Sequence, residues 1–363
     1  MEKPVIVISA INLFEGGTLS ILNDCLTYLS NLSSQYRIVA YVHNKDLVVK
    51  NDGIELIEVP RSRKSYWHRF YYEYWWFRKE SQRLKPYLWF SLHDMTPSVQ
   101  ATIRAVYCHN PSPFYKASWK DVLYEPTIGL FSLFYKYIYR INIRKNNFVV
   151  VQQHWISEAF KKMYRVDNVL VSKPNVEVPM LENVGKIEYS VPTFFYASLP
   201  RVFKNFEVIA ETARILIQKS ITDFQMIITV DGSENKYAHW LKKTYGDIPQ
   251  LKFIGRISRE EVLKNMNSAD AVIFPSRLET WGLPITEAKA LNKTIFLSDL
   301  PYAHETLGDY DKGVFFDPNS AETLARILIQ FLNKSLIINP ITAKKYTGEC
   351  TSWKELFEKI LNS

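Results

Sequence analysis

Residues 276 to 288 form the stretch Ser276-Arg277-Leu278-Glu279-Thr280-Trp281-Gly282-Leu283-Pro284-Ile285-Thr286-Glu287-Ala288. The preceding residues, 270–275, include a short apolar run, which is typical of a buried parallel strand. The following residues predict a helix over 285–291, with Pro284 near its first turn, where a missing N–H costs nothing. A strand, a loop and a helix start in this order predict an anion site, because free backbone N–H groups and the helix dipole point at the loop.

Two glutamates, Glu279 and Glu287, make this loop more specific. On one continuous helix they would lie roughly 12 Å apart along the axis, too far to converge on one small group. Because Gly282 bends the chain between them, we expect one carboxylate on the loop and the other in the first helical turn. Two carboxylates beside an anion site suit a nucleotide sugar, which has a diphosphate between two hydroxylated rings. The alternative is a solvated loop beside a helix with an acidic first turn, which the dipole favours in any case.

Length and composition predict two globular domains. The chain has 363 residues, of which 47% are hydrophobic, enough to fill two cores. Its three cysteines are scattered without metal or disulfide spacing, which favours a reducing compartment and no metal site. The N-terminus has no signal-type apolar segment, and no run of 18 apolar residues predicts a membrane span. We therefore expect a cytoplasmic protein.

The positive charge is concentrated in the first half. The chain carries a net charge of +8, and residues 61–150 contain 15 Lys and Arg against 5 Asp and Glu. The same region holds two basic aromatic runs, 61–79 and 131–145. One interpretation is aromatic core helices with solvated charges, and the other is contact with an anionic membrane surface or a lipid acceptor. Nucleic acid is not expected, because no nucleic-acid-binding motif accompanies the charge.

The first half has the pattern of a doubly wound α/β domain. A β-branched run at 5–10 is followed by Gly16-Gly17 and by helical spacing over 18–32. Further strands are predicted at 36–42, 54–59, 87–92, 103–108 and 148–151, which indicates a parallel sheet. The glycine turn is not GxGxxG, and this argues against a dinucleotide oxidoreductase. His93, His109 and Asn110 follow two of the strands, where ligands bind in such sheets, and are candidates for contact with an acceptor.

The second half repeats the pattern. Arg201 and Lys204 follow a strand at 193–197 and could neutralise a diphosphate. Strands are predicted at 225–230, 252–254 and 294–298, with helices from residue 206, over 259–267 and around 321–332. Asp231 and the pair Gly255-Arg256 follow two of these strands. We expect domains at 1–172 and 173–345, and an amphipathic C-terminal helix in 346–363 that could pack back on the first domain.

With these motifs in place, roughly Asn175–Leu332 resembles the retaining GT-B glycosyltransferases of family 4. The Glu279-to-Glu287 stretch matches that family's E-x7-E signature, and the other matches are Arg201 with Lys204-Asn205, Asp231-Gly232, Phe253-Ile254-Gly255-Arg256 and Ala269-Asp270. The first half matches more loosely, through Gly16-Gly17 and His109. The resemblance implies a GT-B fold of two Rossmann-like domains that face each other across a cleft. The usual Gly-Arg-Leu after the first strand is replaced here by residues 197–201, which shifts Arg201.

The resemblance also implies roles for residues. The diphosphate would be held by the Gly16-Gly17 turn, Arg201, Lys204 and the helix start at Gly282-Leu283. Glu287 would bind the ribose, Glu279 would hydrogen-bond the donor sugar, and Asp231 with Gly255-Arg256 would lie on the nucleotide side. His109 would face the sugar and the acceptor, so that the catalytic candidates are Glu279, His109, Lys204 and Arg201.

Members of that family work without a metal or another cofactor and retain the configuration of the sugar. The sequence therefore predicts transfer of a hexose from a UDP- or GDP-sugar to a glycan or polyprenyl-linked acceptor, in the assembly of a surface polysaccharide such as capsule or O-antigen. It would act on the inner face of the membrane, with residues 61–150 towards the anionic surface. The alternative is a non-catalytic protein of the same fold that binds nucleotide sugars or glycans.

Overall fold

The computed structural model describes residues 3–174, 184–339 and 342–362, so that Asn175, where the resemblance begins, lies outside the described residues. These residues form two compact units. The first comprises residues 3–113, 133–174 and 346–362, and the second comprises 114–132, 184–339 and 342–345.

The first unit is built on a seven-stranded parallel sheet. The strands are β1 (Val5–Ala10), β2 (Arg37–Val42), β3 (Ile54–Glu58), β4 (Leu88–Ser91), β5 (Ile103–Tyr107), β6 (Phe148–Val151) and β7 (Val169–Val171). Their order is β3-β2-β1-β4-β5-β6-β7, with Val7 paired to Val39 on one side and to Trp89 on the other. The central strands β1 and β4 are apolar except for Ser9 and Ser91, because helices cover both faces of the sheet. Each end of the six predicted strands lies within one residue of its observed limit, and β7 was not predicted.

The helices of the first unit are α1 (Gly16–Ser30), α2 (Tyr66–Tyr71), α3 (Phe77–Leu84), the end of α5 (Pro126–Arg140), α6 (His154–Tyr164) and α13 (Trp353–Leu361). Helix α13 buries Leu356, Phe357 and Ile360 in the same core as Leu22 and Leu26 of α1. An isolated parallel bridge between Ser172 and Cys350 extends the sheet edge just before this helix. The C-terminal segment is thus part of the first unit.

The basic aromatic run at 61–79 forms one helical arm with two different faces. A π-helical turn, Tyr72–Trp76, joins α2 to α3. Trp67, Tyr71 and Trp75 project outward at a spacing of four residues, with Trp67 83% exposed. Arg69 and Glu73, which alternate with them, are buried. The interpretation that all the charges of this run are solvated is therefore wrong for these two side chains.

The second unit is built on a six-stranded parallel sheet. Its strands are β8 (Thr193–Tyr196), β9 (Gln225–Ile228), β10 (Leu251–Phe253), β11 (Ala271–Phe274), β12 (Thr294–Ser298) and β13 (Gly313–Phe316), in the order β10-β9-β8-β11-β12-β13. The helices are α4 (Trp119–Tyr124), the start of α5, α7 (Phe206–Gln218), α8 (Lys236–Tyr245), α9 (Arg259–Ser268), α10 (Leu283–Ala290), α11 (Pro301–Leu307) and α12 (Ala321–Leu332). Strand β11 lies between β8 and β12, so the loop after it leaves the middle of the sheet.

Residues 114–132 belong to the second unit, whereas the predicted domain division placed them in the first domain, 1–172. Tyr124 of α4 stacks on Trp240 of α8, with ring centroids 5.0 Å apart. Glu125 forms an ion pair with Arg201. These contacts join distant parts of the sequence, which local periodicity does not record.

Within residues 3–174, 184–339 and 342–362, no helix is long and apolar enough to cross a membrane.

Candidate functional site

The loop between β11 and α10 is shaped by Gly282. This residue has a φ of +81° and is the N-cap of α10. A side chain here would be strained, and its Cβ would lie only 3.0 Å from Cδ1 of Ile285. The helix begins at Leu283, two residues earlier than predicted, with Pro284 at its second position. Glu287 is therefore the fifth helical residue, and the expectation that it lies in the first turn is wrong.

Glu279, on this loop, lies against Lys204. Oε1 of Glu279 is 2.5 Å from Nζ of Lys204, which ends a short 3-10 turn, Val202–Lys204, just before α7. The loop is held to that turn by Arg277, whose backbone N–H donates to the carbonyl of Phe203 over 2.7 Å. The guanidinium of Arg277 also pairs with Glu207 in the first turn of α7. Two residues predicted to contact the donor are thus brought together within the second unit.

Glu287 is buried, and among the residues that the structure describes it forms an ion pair with one charged side chain. Its Oε1 forms an ion pair with the guanidinium of Arg259, the first residue of α9, at a distance of 2.7 Å from Nη2. Burial raises the pKa of the Glu287 carboxyl, and the positive charge of Arg259 acts in the opposite direction. A buried carboxylate with free lone pairs is suited to accept hydrogen bonds from a diol.

Arg201 has a partner that the sequence did not predict. Its guanidinium pairs with the carboxylate of Glu125, at the end of α4. The second oxygen of the same carboxylate accepts from the backbone N–H of Val202 over 3.2 Å. A guanidinium and a backbone N–H together make an anion-binding pair, and in this structure the anion they bind is Glu125.

The remaining predicted donor residues lie at the ends of β9 and β10. Gly255 has a φ of +73°, and a Cβ there would lie 2.9 Å from a carboxylate oxygen of Asp231, so these two turns depend on a glycine to approach each other. Hydrogen bonds from Ser233 lower the pKa of the Asp231 carboxyl. Arg256 is exposed to solvent. Asp231, Gly255 and Arg256 thus form one polar edge of the second unit.

In the first unit, the strand ends are organised by Asp94. Its Oδ1 accepts from the backbone N–H groups of His109 and Asn110, over 2.6 and 3.0 Å, and from the hydroxyl of Tyr139 over 2.8 Å. Its Oδ2 accepts from the hydroxyl of Tyr135. Asp94 therefore fixes the backbone that carries two of the predicted acceptor-side residues.

His109 is buried and neutral. Its Nε2–H donates to the carbonyl of Leu92 over 3.0 Å, which leaves Nδ1 as the unprotonated nitrogen. Burial lowers the pKa of the imidazole. Nδ1 has no hydrogen-bond partner among the residues that the structure describes. A neutral imidazole with a free lone pair can accept a hydrogen bond from a hydroxyl group.

His93, the other histidine at a strand end, faces the interior. Its Nε2 contacts Oε1 of Glu73, and its backbone carbonyl accepts from the guanidinium of Arg69 over 2.8 Å. Only 1% of its surface is exposed. The structure thus places this acceptor-side candidate in a buried polar network with the helical arm, and its ring is not presented to solvent.

Gly16 and Gly17 begin α1 directly after the loop that follows β1, and both are exposed. The N-cap residue Glu15 makes no side-chain capping bond, so the first N–H groups of the helix are not capped by it. This is the arrangement expected of a turn that approaches an anion.

The sequence reasoning missed Glu125, Arg259 and Asp94 as partners of predicted site residues. Asp94 and Arg259 stood next to recognised motifs, one beside His93 and the other at the start of a predicted helix. Glu125 carried no signal, since its partner is 76 positions away in the sequence.

The class of protein follows from these two parallel sheets with polar strand ends: the structure has the GT-B fold. It superposes on a glycosyltransferase from Rickettsia africae with a TM-score of 0.65 at 17% identity, covering 92% of this chain and 89% of that one. It also superposes on HepE of Anabaena in complex with UDP-glucose, with a TM-score of 0.60 at 13% identity over 91% of this chain and 90% of that one.

Residues 185–347, which lie mostly in the second unit, match the family described as Glycosyl transferases group 1. The chain is also 21% identical to the O-antigen chain mannosyltransferase RfbU of Salmonella typhimurium over 197 residues, which is 51% of each protein. The match thus spans about half the length of this curated relative.

Proposed function

We propose that this protein is a retaining, metal-independent glycosyltransferase that moves a hexose from a UDP- or GDP-sugar to a glycan or polyprenyl-linked acceptor. The observation that carries the proposal is the site at the β11–α10 loop, where Lys204, Glu279 and Glu287 lie around the start of a helix. These are the groups that a diphosphate flanked by a sugar and a ribose requires.

In the proposed reaction, the bond between the sugar C1 and the diphosphate oxygen breaks, and its electron pair leaves with the diphosphate. Lys204 and the N-terminal N–H groups of α10 stabilise that charge. The acceptor oxygen attacks C1 from the face that the diphosphate leaves, and its proton passes to a diphosphate oxygen. Glu279 accepts a hydrogen bond from a sugar hydroxyl, and Glu287 accepts from the ribose.

The comparisons favour this donor class and acceptor class. HepE has been crystallised with UDP-glucose, and RfbU is named as an O-antigen chain mannosyltransferase. A role in surface polysaccharide assembly is consistent with both.

We further propose that the protein works at the inner membrane face and contacts it through the aromatic stripe of Trp67, Tyr71 and Trp75. Aromatic rings of this kind are favoured at the headgroup level, and the surrounding region 61–150 carries the positive excess that anionic lipids attract.

The double variant Trp67→Ser/Trp75→Ser should lose most binding to vesicles of phosphatidylglycerol in a sedimentation assay. Ile337→Ser removes an apolar side chain that is 81% exposed in the second unit, and it should bind as the wild type does. Equal binding by all three proteins would contradict the proposed membrane contact.

The transfer reaction is tested with the full chain, UDP-glucose, UDP-galactose and GDP-mannose, and membrane-extracted polyprenyl-linked glycans as acceptor. We expect release of one nucleotide, no change on addition of EDTA, and retention of the anomeric configuration in the NMR spectrum of the product. Glu287→Ala should abolish release, whereas Glu322→Gln, at an exposed carboxylate of α12, should not change it. Tight nucleotide binding without transfer to any acceptor would favour the alternative, a non-catalytic binding protein.

A further inference from the structure

Arg259 makes a contact that the proposed roles of the donor residues do not explain. Its side chain is 62% exposed, yet its guanidinium reaches the carboxylate of Glu287, of which only 7% is exposed. The residue is fixed at the start of α9 by a capping box, in which Ser258 and Glu261 bond reciprocally. A long, mobile side chain is thus anchored at its backbone and directed to one buried oxygen.

The charge on Glu287 decides what this carboxyl can do for a nucleotide. An ionised carboxylate can accept hydrogen bonds from both ribose hydroxyls, whereas a protonated carboxyl must donate one bond itself. Burial favours the protonated form, and an adjacent guanidinium favours the ionised form. The contact with Arg259 therefore bears directly on the form that binds ribose.

The other charged groups on the elements that pack against α10 are paired with other residues or exposed to solvent. Glu279, on the loop before α10, pairs with Lys204, and Glu261 of α9 serves the capping box. His304 of α11 pairs with Asp299. Glu260 and Lys264 are exposed on α9, and strand β12 carries no titratable side chain. Within the described residues, Arg259 is the charged group that acts on the pKa of Glu287.

We infer that Arg259 is a positioning residue of the nucleotide site, which keeps the buried Glu287 carboxylate ionised and oriented so that it accepts both ribose hydroxyls at neutral pH. The inference rests on the proposed function, since it assigns Arg259 to the nucleotide half of that same site. It acts through Glu287 and not by contact with the reacting atoms. When the ribose binds, the guanidinium of Arg259 has to move partly away from Oε1 of Glu287. The exposed position of the Arg259 side chain allows this movement.

The test is calorimetric titration of the full chain with UDP and with GDP, at several pH values between 6 and 8. The quantity compared is the ratio of the Kd of Arg259→Gln to that of the wild type at each pH. The ratio cancels the titration of the terminal phosphate, which is common to both proteins. We expect a ratio near one to three at pH 8, because Glu287 is then ionised in both proteins. It should rise as the pH falls, by up to about tenfold for each unit by which the pKa of Glu287 increases.

Three further variants separate this role from a structural one. Arg259→Lys keeps the positive charge and should restore the wild-type pH profile. In a Glu287→Gln background, Arg259→Gln should add no pH-dependent effect, because the group it acts on no longer titrates. Lys264→Gln removes a positive charge from the same helix and should leave the Kd unchanged at every pH.

The inference would be overturned if Arg259→Gln lost the same affinity at every pH, if it lost none, or if Arg259→Lys did not restore the wild-type profile. In each of these cases, nucleotide binding by the wild type would still support the proposed function. If the wild type binds neither UDP nor GDP, both fail together.

Discussion

The two units present charged groups at the same place, the carboxyl ends of a parallel sheet, but they hold them differently. In the first unit, Asp94 accepts four hydrogen bonds, and Glu73 and His93 are almost completely buried against Arg69. In the second unit, Lys204, Arg259 and Arg201 each meet one carboxylate, and the two arginines are partly exposed. The first arrangement fixes a backbone, whereas the second leaves cations that a ligand can recruit.

The two arrangements differ in how easily a ligand can displace one of the charged partners. A network with many partners resists displacement, because removing one member leaves others buried without compensation. A single ion pair beside solvent is worth little by itself, so an anionic ligand can replace its carboxylate at low cost. The second unit is therefore the better place for a diphosphate that must enter and leave.

The largest expected effect on stability is in the first unit. Glu73→Gln should lower the free energy of unfolding by about 3 kcal/mol, because the buried His93 loses its carboxylate partner and the buried Arg69 loses one of the negative charges near it. In the second unit, Arg201→Ala should lower the free energy of unfolding by about 1 kcal/mol or less, since the guanidinium is partly exposed. Urea denaturation of both variants measures the difference. Equal losses of unfolding free energy in the two variants would contradict the claim that the first unit holds its charges more firmly than the second.

The largest expected effect on activity is in the second unit. Lys204→Ala should lower kcat/KM for transfer about 10²- to 10³-fold, because the proposed reaction loses the cation that would face the departing diphosphate. The circular dichroism spectrum should not change. Steady-state release of nucleotide measures the effect, and full activity in this variant would refute the assignment of the site.

A smaller effect is expected from His109 in a pH series. Burial lowers the folded-state pKa of the His109 imidazole below its unfolded value, so its contribution to stability is complete above the unfolded pKa and is lost as the pH falls from there through the folded pKa. The decrease in unfolding free energy between pH 7 and pH 5 should therefore be smaller in His109→Gln than in the wild type. Identical slopes in urea denaturation at the two pH values would contradict this.

The smallest effect is expected from Glu125→Gln. The change frees Arg201 and the N–H of Val202 from a carboxylate, so UDP or GDP should bind about two- to fivefold more tightly, whereas the nucleoside alone should bind as before. Weaker binding of the diphosphate would mean that Glu125 orients Arg201 and does not compete with the ligand.

The sequence predicted the strands well because their signal is local. The runs Val5–Ala10 and Ala271–Phe274 are apolar except for Ser9, and a strand buried on both faces favours this pattern. The Glu279–Glu287 spacing around Gly282 likewise predicted a loop that enters a helix, which begins two residues earlier and ends one residue earlier than predicted.

The partners of the site residues could not be predicted in the same way. Glu125 and Arg201, and likewise Arg259 and Glu287, are brought together by packing between separate elements, and neither pair has a spacing that a helix or a strand would impose. The burial of Arg69 and Glu73 was missed for a related reason. They alternate with exposed aromatic residues, and the sequence pattern did not indicate the π-helical turn that joins α2 to α3 in this arm.

The central claim is that the β11–α10 loop with Lys204 and Glu287 binds a nucleoside diphosphate without a metal. It is tested most directly by calorimetric titration of the full chain with UDP, GDP and ADP, with and without EDTA, beside Glu287→Ala. We predict that one nucleotide binds with micromolar affinity, that the chelator leaves its Kd unchanged, and that the variant loses the binding. Binding that survives Glu287→Ala, or the absence of binding by all three nucleotides, would contradict the claim.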